Sequence, residues 1–471
     1  MLGGTTEKMT GLFQWAALVY IVSVVILWML VLCIYRTQFH PLAKFPGPKL
    51  AGATYLYEFW FDVICWGRYT HQIEKLHQLY GPIIRINPDE LHCNDPAFIN
   101  TLYTNGAKKR NKSSHFLAGY PMSASMTGVA TVEHDLHRTR KNAVVKFFSR
   151  AQVSELEVVV HDGVQRLCEK LLNFRGQGPF ELADAYSCFT CDMITGYCFG
   201  EDTGFLDQPG WEPNYKTSVN IIMGLTNIMR FIPFMAYAME AIPLPLLKFI
   251  SPKMGRIMTE FKVTIPARIR QTQLTAQSTS RPTIFSSLLQ SDLPPAEKSM
   301  KRLASEANAM MIGGTESTAV TLRLLTYHLL ANPSVCKTLR AELECVVDDA
   351  RHLPSWLQLE QLPYLSAVVQ ESLRLVYGVP GRLARIAPDE DMVYCDTRKA
   401  AASNVDNCYV IPRGFAVGMS SYLVHSNEDI FPEPHQFKPE RWLDERGQKN
   451  NSLGRYLMSF SKGSRQCVGM Q

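Results

Sequence analysis

Charge is sparse in this chain. Asp, Glu, Lys and Arg make up 19% of its 471 residues, against about a quarter in ordinary globular domains. The formal net charge is only +5, and no basic run is interleaved with aromatics, which excludes a dedicated nucleic-acid binder. A balance this mild suits an acidic partner or a membrane surface. The 12 cysteines show no framework spacing. That excludes a disulfide scaffold and predicts reduced thiols in a cytosol-facing protein. Cys188-x-x-Cys191 has no second such pair and no nearby His, so it reads as core rather than zinc. Internal repeats and low-complexity tracts are also lacking. What remains is a large body with 46% hydrophobic residues to fill it.

Charge is absent altogether from Leu12 to Tyr35. At 1.5 Å per residue, a helix of that length crosses a hydrocarbon core. No small-residue cleavage site follows it, so it reads as an anchor and not a signal peptide. Trp15, Trp28 and Tyr35 suit the interfaces, and Arg36, Lys44 and Lys49 follow the run. The positive bias after the span puts the rest of the chain in the cytosol. The expected organisation is a tail (1–11), a transmembrane anchor (12–35), a Pro-rich connector (36–51) and one large domain (52–471). His40-Pro41 and Phe45-Pro46-Gly47-Pro48 make that connector stiff rather than helical.

Apolar spacing predicts helices over 154–172, 180–199, 304–330 and 365–376, with short strands at 83–86 and 417–419. The apolar 223–247 stretch is broken by Pro233, Pro243 and Pro245. It predicts short helices that line an apolar pocket or touch a membrane. Residues 268–281 are polar and read as an exposed linker. The fold class is mainly α with minor β.

Near the end the chain reads Phe460-Ser461-Lys462-Gly463-Ser464-Arg465-Gln466-Cys467-Val468-Gly469. A thiolate ligand to haem iron needs a tight turn, which Gly463 permits. It needs backbone N–H groups aimed at the sulfur and a cation for a propionate, here Arg465. Gly469 leaves room where the backbone passes the macrocycle, and Phe460 shields the sulfur from water. Gly313-Gly314-Thr315-Glu316-Ser317-Thr318 lies inside the longest predicted helix. Glycines and hydroxyls are poor helix choices. They fit a helix that bulges to admit dioxygen, with Glu316, Ser317 and Thr318 handling protons.

The Cys467 segment resembles the haem-binding signature of the cytochrome P450 family, matching Phe, Gly, Arg, Cys and Gly at their spacing. By average residue usage, a chance match is on the order of one in ten thousand. The resemblance covers Pro41 to the end and is nearest to fungal enzymes of secondary metabolism, of the trichodiene oxygenase kind. It implies the family's helical haem-binding fold with small sheets. It implies haem b with Cys467 as axial thiolate and one atom of O2 inserted into an apolar, terpenoid-like substrate. Electrons would come from NADPH through NADPH-cytochrome P450 reductase, at the endoplasmic reticulum membrane.

The resemblance also assigns further residues. Glu371-x-x-Arg374 pairs on one helix face and would join Arg441, in Phe437-Lys438-Pro439-Glu440-Arg441-Trp442, as a structural lock. His137 and Lys141 match propionate-binding positions by place but not by type, with Arg140 the alternative to Lys141. Arg385 would reach a propionate as well. Ser317 stands where the family usually has Thr; it keeps the hydroxyl and loses the methyl that fixes its rotamer. Family members continue past the ligand Cys, whereas this sequence stops at Gln471. The second expectation is therefore a truncated, inactive relative that binds haem weakly or not at all.

Overall fold

The computed structural model describes residues 3–106, 108–120, 126–275, 283–396 and 408–470. It is mainly helical with small sheets. The chain gathers into two compact units, residues 1–95 with 389–418, and residues 96–388 with 419–471.

In the first unit a helix runs from Gly3 to Ile34 and continues as a helical turn, Tyr35–Phe39. The stretch Gln14–Phe39 is long and apolar enough to cross a membrane, and none of it is buried. The connector departs from the expected non-helical form at both ends. Tyr35–Phe39 and Lys49–Ala53 are helical, and only residues 40–48 between them are extended or turned. Arg85 ties this region down. Its guanidinium donates to the Arg36 carbonyl at 2.7 Å, and a Cβ on Gly47 would lie 2.5 Å from the Arg85 carbonyl oxygen. Strands Ile83–Asn87 and Glu90–Cys93 pair antiparallel, and Ala416–Gly418 runs parallel to the second.

The expectation of reduced thiols throughout fails at one place. Strands Met392–Cys395 and Cys408–Ile411 pair antiparallel with Cys395 opposite Cys408, and a disulfide joins the two. Strand register, not sequence spacing, brings them together, so no cysteine pattern announces the pair.

The second unit is built on two helices. Met300–Ala331 packs against Leu182–Phe199. The crossing is close: a Cβ on Gly314 would lie 2.6 Å from Ile194, and Thr190 Oγ1 donates to the Thr315 carbonyl at 3.0 Å. Cys191, Cys198, Phe199, Phe285, Leu303 and Met311 fill the surrounding core. Cys188 is fully buried like Cys191, and burial pushes both thiols up to about 12. The prolines of the apolar stretch start new helices: Pro233 precedes Phe234–Ala241, and Pro243 precedes Leu244–Ile250.

The expected linker after Arg268 is instead a helix, Ile265–Thr275. Ile269 and Thr272 are buried on its inner face, and the outward face supplies the polar composition that suggested a linker. Residues 276–281 of that expectation lie outside the described residues.

Candidate functional site

The helix Pro363–Val376 starts on a proline, which costs nothing at a position with no hydrogen bond to lose. Its buried face includes Val368, Glu371, Ser372 and Arg374. Arg374 donates to Glu371 through Nε (2.9 Å) and a terminal nitrogen (2.7 Å). Arg441 Nε (3.1 Å), Trp442 Nε1 (2.9 Å) and the Lys438 N–H (3.0 Å) also donate to Glu371. Both members of the central pair are 0% exposed, and a buried charge is tolerable only when compensated this fully. Burial pushes the Glu371 carboxyl upward, but the Arg374 bond and charge and the Lys438 N–H leave it below its ordinary value. Arg374 also donates to the carbonyls of His425 (2.9 Å) and Pro434 (2.6 Å).

His425 carries this framework to the cysteine loop. Its Nδ1 donates to the Arg374 carbonyl, and its Nε2 accepts the Met458 N–H, each at 2.8 Å. Ser459 Oγ then donates to the Leu373 carbonyl at 2.6 Å. The loop turns at Gly463 with φ +76°. A Cβ there would lie 2.5 Å from the Tyr103 carbonyl oxygen, so close approach as well as turn geometry requires glycine. The Cys467 N–H donates to the Phe460 carbonyl at 2.9 Å. Cys467 is exposed and Phe460 half-buried. Around Gly469 nothing lies within 4 Å of a built Cβ.

Cations converge on this loop. Lys141 Nζ donates to the carbonyls of Ser464 and Gln466, each at 3.0 Å. Arg465 donates to the carbonyls of Thr131 (2.5 Å) and Val132 (2.7 Å). Arg385 reaches the Leu383 and Ala384 carbonyls at 3.1 and 3.0 Å and lies over the Tyr103 ring. Lys112 stands opposite Arg385 in the antiparallel pair Asn111–Lys112 and Arg385–Ile386. Sequence reasoning missed Lys112, because only strand register makes it a neighbour of Arg385. His425 was missed too, having no motif of its own.

Among the described residues none of these cations pairs with a carboxylate, and Lys112, Arg465 and Lys141 each feel a neighbouring cation. Burial, then Arg385 and Arg465, lowers the Lys112 amine well below its usual value. Burial and Arg385 bring Arg465 down to about 10. Burial, then Arg465, Lys112 and Lys141, pushes His137 down to about 2. Arg140 faces elsewhere, forming a two-point pair with Glu297 at 2.8 Å for each bond.

The long helix passes with a row of polar groups on one exposed face. Ser317 Oγ donates to the Gly313 carbonyl at 2.6 Å, and Thr321 Oγ1 to the Ser317 carbonyl at 2.8 Å. Thr318 is exposed beside them. The expected bulge is absent: the helix is α-helical without interruption from Met300 to Ala331. The two glycines divide the work. Gly314 permits the crossing with Ile194, whereas a Cβ on Gly313 would meet nothing within 4 Å. Glu316 points to another face, where burial raises its carboxyl against the pull of Arg323 and Lys216. Its Oε2 is buried without a hydrogen-bond partner among the described residues.

The sequence profile of the cytochrome P450 family matches residues 46–471. The chain belongs to the cytochrome P450 family. Curated relatives agree. "Cytochrome P450 monooxygenase ppzE" of Metarhizium majus is 46% identical over 448 residues, covering 92% of this chain and 93% of its own. "Tryptophan 6-hydroxylase fscE" of Fusarium equiseti is 38% identical, covering 93% of this chain and 84% of its own. "Cytochrome P450 monooxygenase TRI4" of Trichoderma arundinaceum is 34% identical, covering 93% and 82%. The chain is thus a P450 monooxygenase akin to fungal enzymes of secondary metabolism. The second expectation, an inactive relative, gains no support from these matches. A P450 uses haem with thiolate ligation, and the residues present fit that group. A dianionic edge suits clustered cations that lack carboxylate partners among the described residues, and an exposed thiol stands on a strapped loop beside them.

Proposed function

We propose that this P450 inserts one atom of O2 into an apolar small molecule of terpenoid kind. In this reading Cys467 supplies the axial thiolate, and Arg465, Arg385, Lys141, Lys112 and His137 face the propionates. NADPH-cytochrome P450 reductase supplies the electrons. The Gln14–Phe39 stretch anchors the chain in the endoplasmic reticulum membrane, with the catalytic body in the cytosol. The observation that carries the reading is the set of cations beside the Cys467 loop that have no carboxylate partner among the described residues.

When bound, the haem supplies oxygen activation, and the thiolate favours O–O cleavage. The protein does the rest. Lys141 holds the Ser464 and Gln466 carbonyls, which fixes the turn that presents the sulfur. The Ser317 hydroxyl donates a hydrogen bond to the Gly313 carbonyl, leaving its oxygen lone pairs to accept a hydrogen bond from water. Glu316, its carboxyl raised by burial, stands on another face of the helix, so the Ser317 row takes its protons from water rather than from this carboxyl. The apolar residues of 223–247 support a greasy substrate over a charged one.

The test is a reduced carbon-monoxide difference spectrum of the expressed protein, followed by product analysis with a sesquiterpene hydrocarbon and a free indole amino acid. A thiolate-type band with oxygenation of the hydrocarbon is the expected result. Absence of the band would overturn the haem assignment, and turnover of the amino acid alone would overturn the substrate class.

A further inference from the structure

Arg465 meets no carboxylate among the described residues; instead its guanidinium is aimed by the carbonyls of Thr131 and Val132. What aims those carbonyls is an alternating chain of charges. Thr131 Oγ1 donates to the Thr127 carbonyl at 2.8 Å and accepts from Arg140 at 2.9 Å. Arg140 binds both oxygens of Glu297. Glu297 Oε2 also accepts from Arg302 Nε at 3.0 Å. Arg302 then pairs with Glu306 at 2.6 Å. Glu306 closes the circuit by accepting the Gly128 N–H at 2.8 Å. The chain therefore starts and ends on the 127–132 segment and runs through the first turns of the long helix.

The four side chains Arg140, Glu297, Arg302 and Glu306 are 6–14% exposed. At that depth their order matters: plus, minus, plus, minus. Glu297 is the only member between two guanidiniums. Without its charge, Arg140 and Arg302 would face each other with only Glu306, paired to Arg302, left to compensate them, and like charges this dry repel strongly. Arg140 would also be released toward the cations of the Cys467 loop.

We propose that Glu297 is a positioning residue for the haem. It acts through Arg140 and Thr131 on the Arg465 guanidinium and keeps the Arg140 charge neutralised. This rests on the reading that Arg465 faces a propionate, and the experiment separates the two. Holoenzyme is prepared as the parent, Glu297→Gln, Glu297→Asp, Arg465→Gln, the Glu297→Gln/Arg465→Gln double variant and the Arg140→Gln/Glu297→Gln double variant. Haem loss to apomyoglobin and the midpoint potential are measured for each, with far-ultraviolet circular dichroism to report folding.

Glu297→Gln is expected to speed haem loss by about tenfold, the scale on which residues behind a ligand set act. Glu297→Asp should recover part of it. The Glu297→Gln/Arg465→Gln double variant should lose haem no faster than Arg465→Gln alone, because both substitutions remove one pathway. Glu297→Gln should raise the potential, and removing Arg140 as well should return it, since the net charge is then restored. An unchanged rate in Arg465→Gln would overturn the propionate reading. A changed rate in Arg465→Gln with full additivity in the double variant would overturn the positioning role alone. If Glu297→Gln fails to fold, Glu297→Asp takes its place in the cycle, with the same non-additivity required.

Discussion

His425 Nε2 accepts the backbone N–H of Met458 at 2.8 Å. Because Nδ1 is already committed to the Arg374 carbonyl, the ring is fixed as one neutral tautomer. Protonation would turn the acceptor nitrogen into a donor facing another donor. Burial and the Arg374 charge, against the bond to the Arg374 carbonyl, push His425 down to about 3 from its ordinary 6.5. The unfolded chain therefore takes this proton first. Stability is full above about pH 6.5 and falls as pH drops toward 3, by about 1.4 kcal/mol per pH unit from this group. Urea midpoints measured from pH 7 to pH 4 should show that slope. In His425→Gln the slope should be smaller by one proton; an identical slope would remove His425 from the account.

Glu371 is fully buried under donors from Arg374, Arg441, Trp442 and Lys438. Glu371→Ala strands the Arg374 guanidinium and should destabilise the second unit by about 3–5 kcal/mol. Thermal unfolding and haem content per chain should fall together. Arg441→Lys, which keeps the charge on the partly exposed edge of the cluster, should cost much less. Equal losses in the two variants would contradict the ranking.

Cys467→Ser should abolish the thiolate-type carbon-monoxide band. Serine is a harder and far less acidic ligand than cysteine. A variant that kept the band would need another cysteine as ligand, and Cys188, Cys191 and Cys198 are too deeply buried for that.

Ser317→Ala should release more hydrogen peroxide per NADPH consumed. The hydroxyl bonded to Gly313 is lost, and with it an ordered proton path. Ser317→Thr should keep the coupling, since it adds only a methyl. Peroxide and product yields per NADPH decide this, and unchanged coupling in the alanine variant would pass the role to Thr318 or to water.

Microsomes carrying the full chain should retain it through alkaline carbonate extraction, by virtue of Gln14–Phe39. Release into the supernatant would mean that the apolar helix is not embedded.

The parts legible in the sequence share a property: their partners are near in sequence or fixed by a motif. Glu371 and Arg374 stand three apart on one helix face, and Gly463 sits inside a signature. The long helix was legible from its periodicity to within a few residues. Lys112 was not, because only the pairing with Arg385 brings it to the site. Cys395 and Cys408 escaped for the same reason. Arg140 was placed among the propionate contacts because it neighbours Lys141, but helix geometry turns successive residues about 100° apart. Lys141 meets the cysteine loop while Arg140 meets Glu297. The linker expected at 268–275 failed because composition was read without asking which face each polar residue occupied.

The contact between Gly314 and Ile194 sets how near the long helix lies to its neighbour. Ser317 is less than one turn further along the same rod. Any side chain at position 314 would lift that turn away from Leu182–Phe199 and carry the hydroxyl row with it. The reach of the reactive face is therefore adjustable from behind, by shape alone. Trimming Ile194 to valine would loosen the contact that seats this turn without changing any polar group, which makes an inert aliphatic pair the tuning screw for the proton-handling surface proposed above.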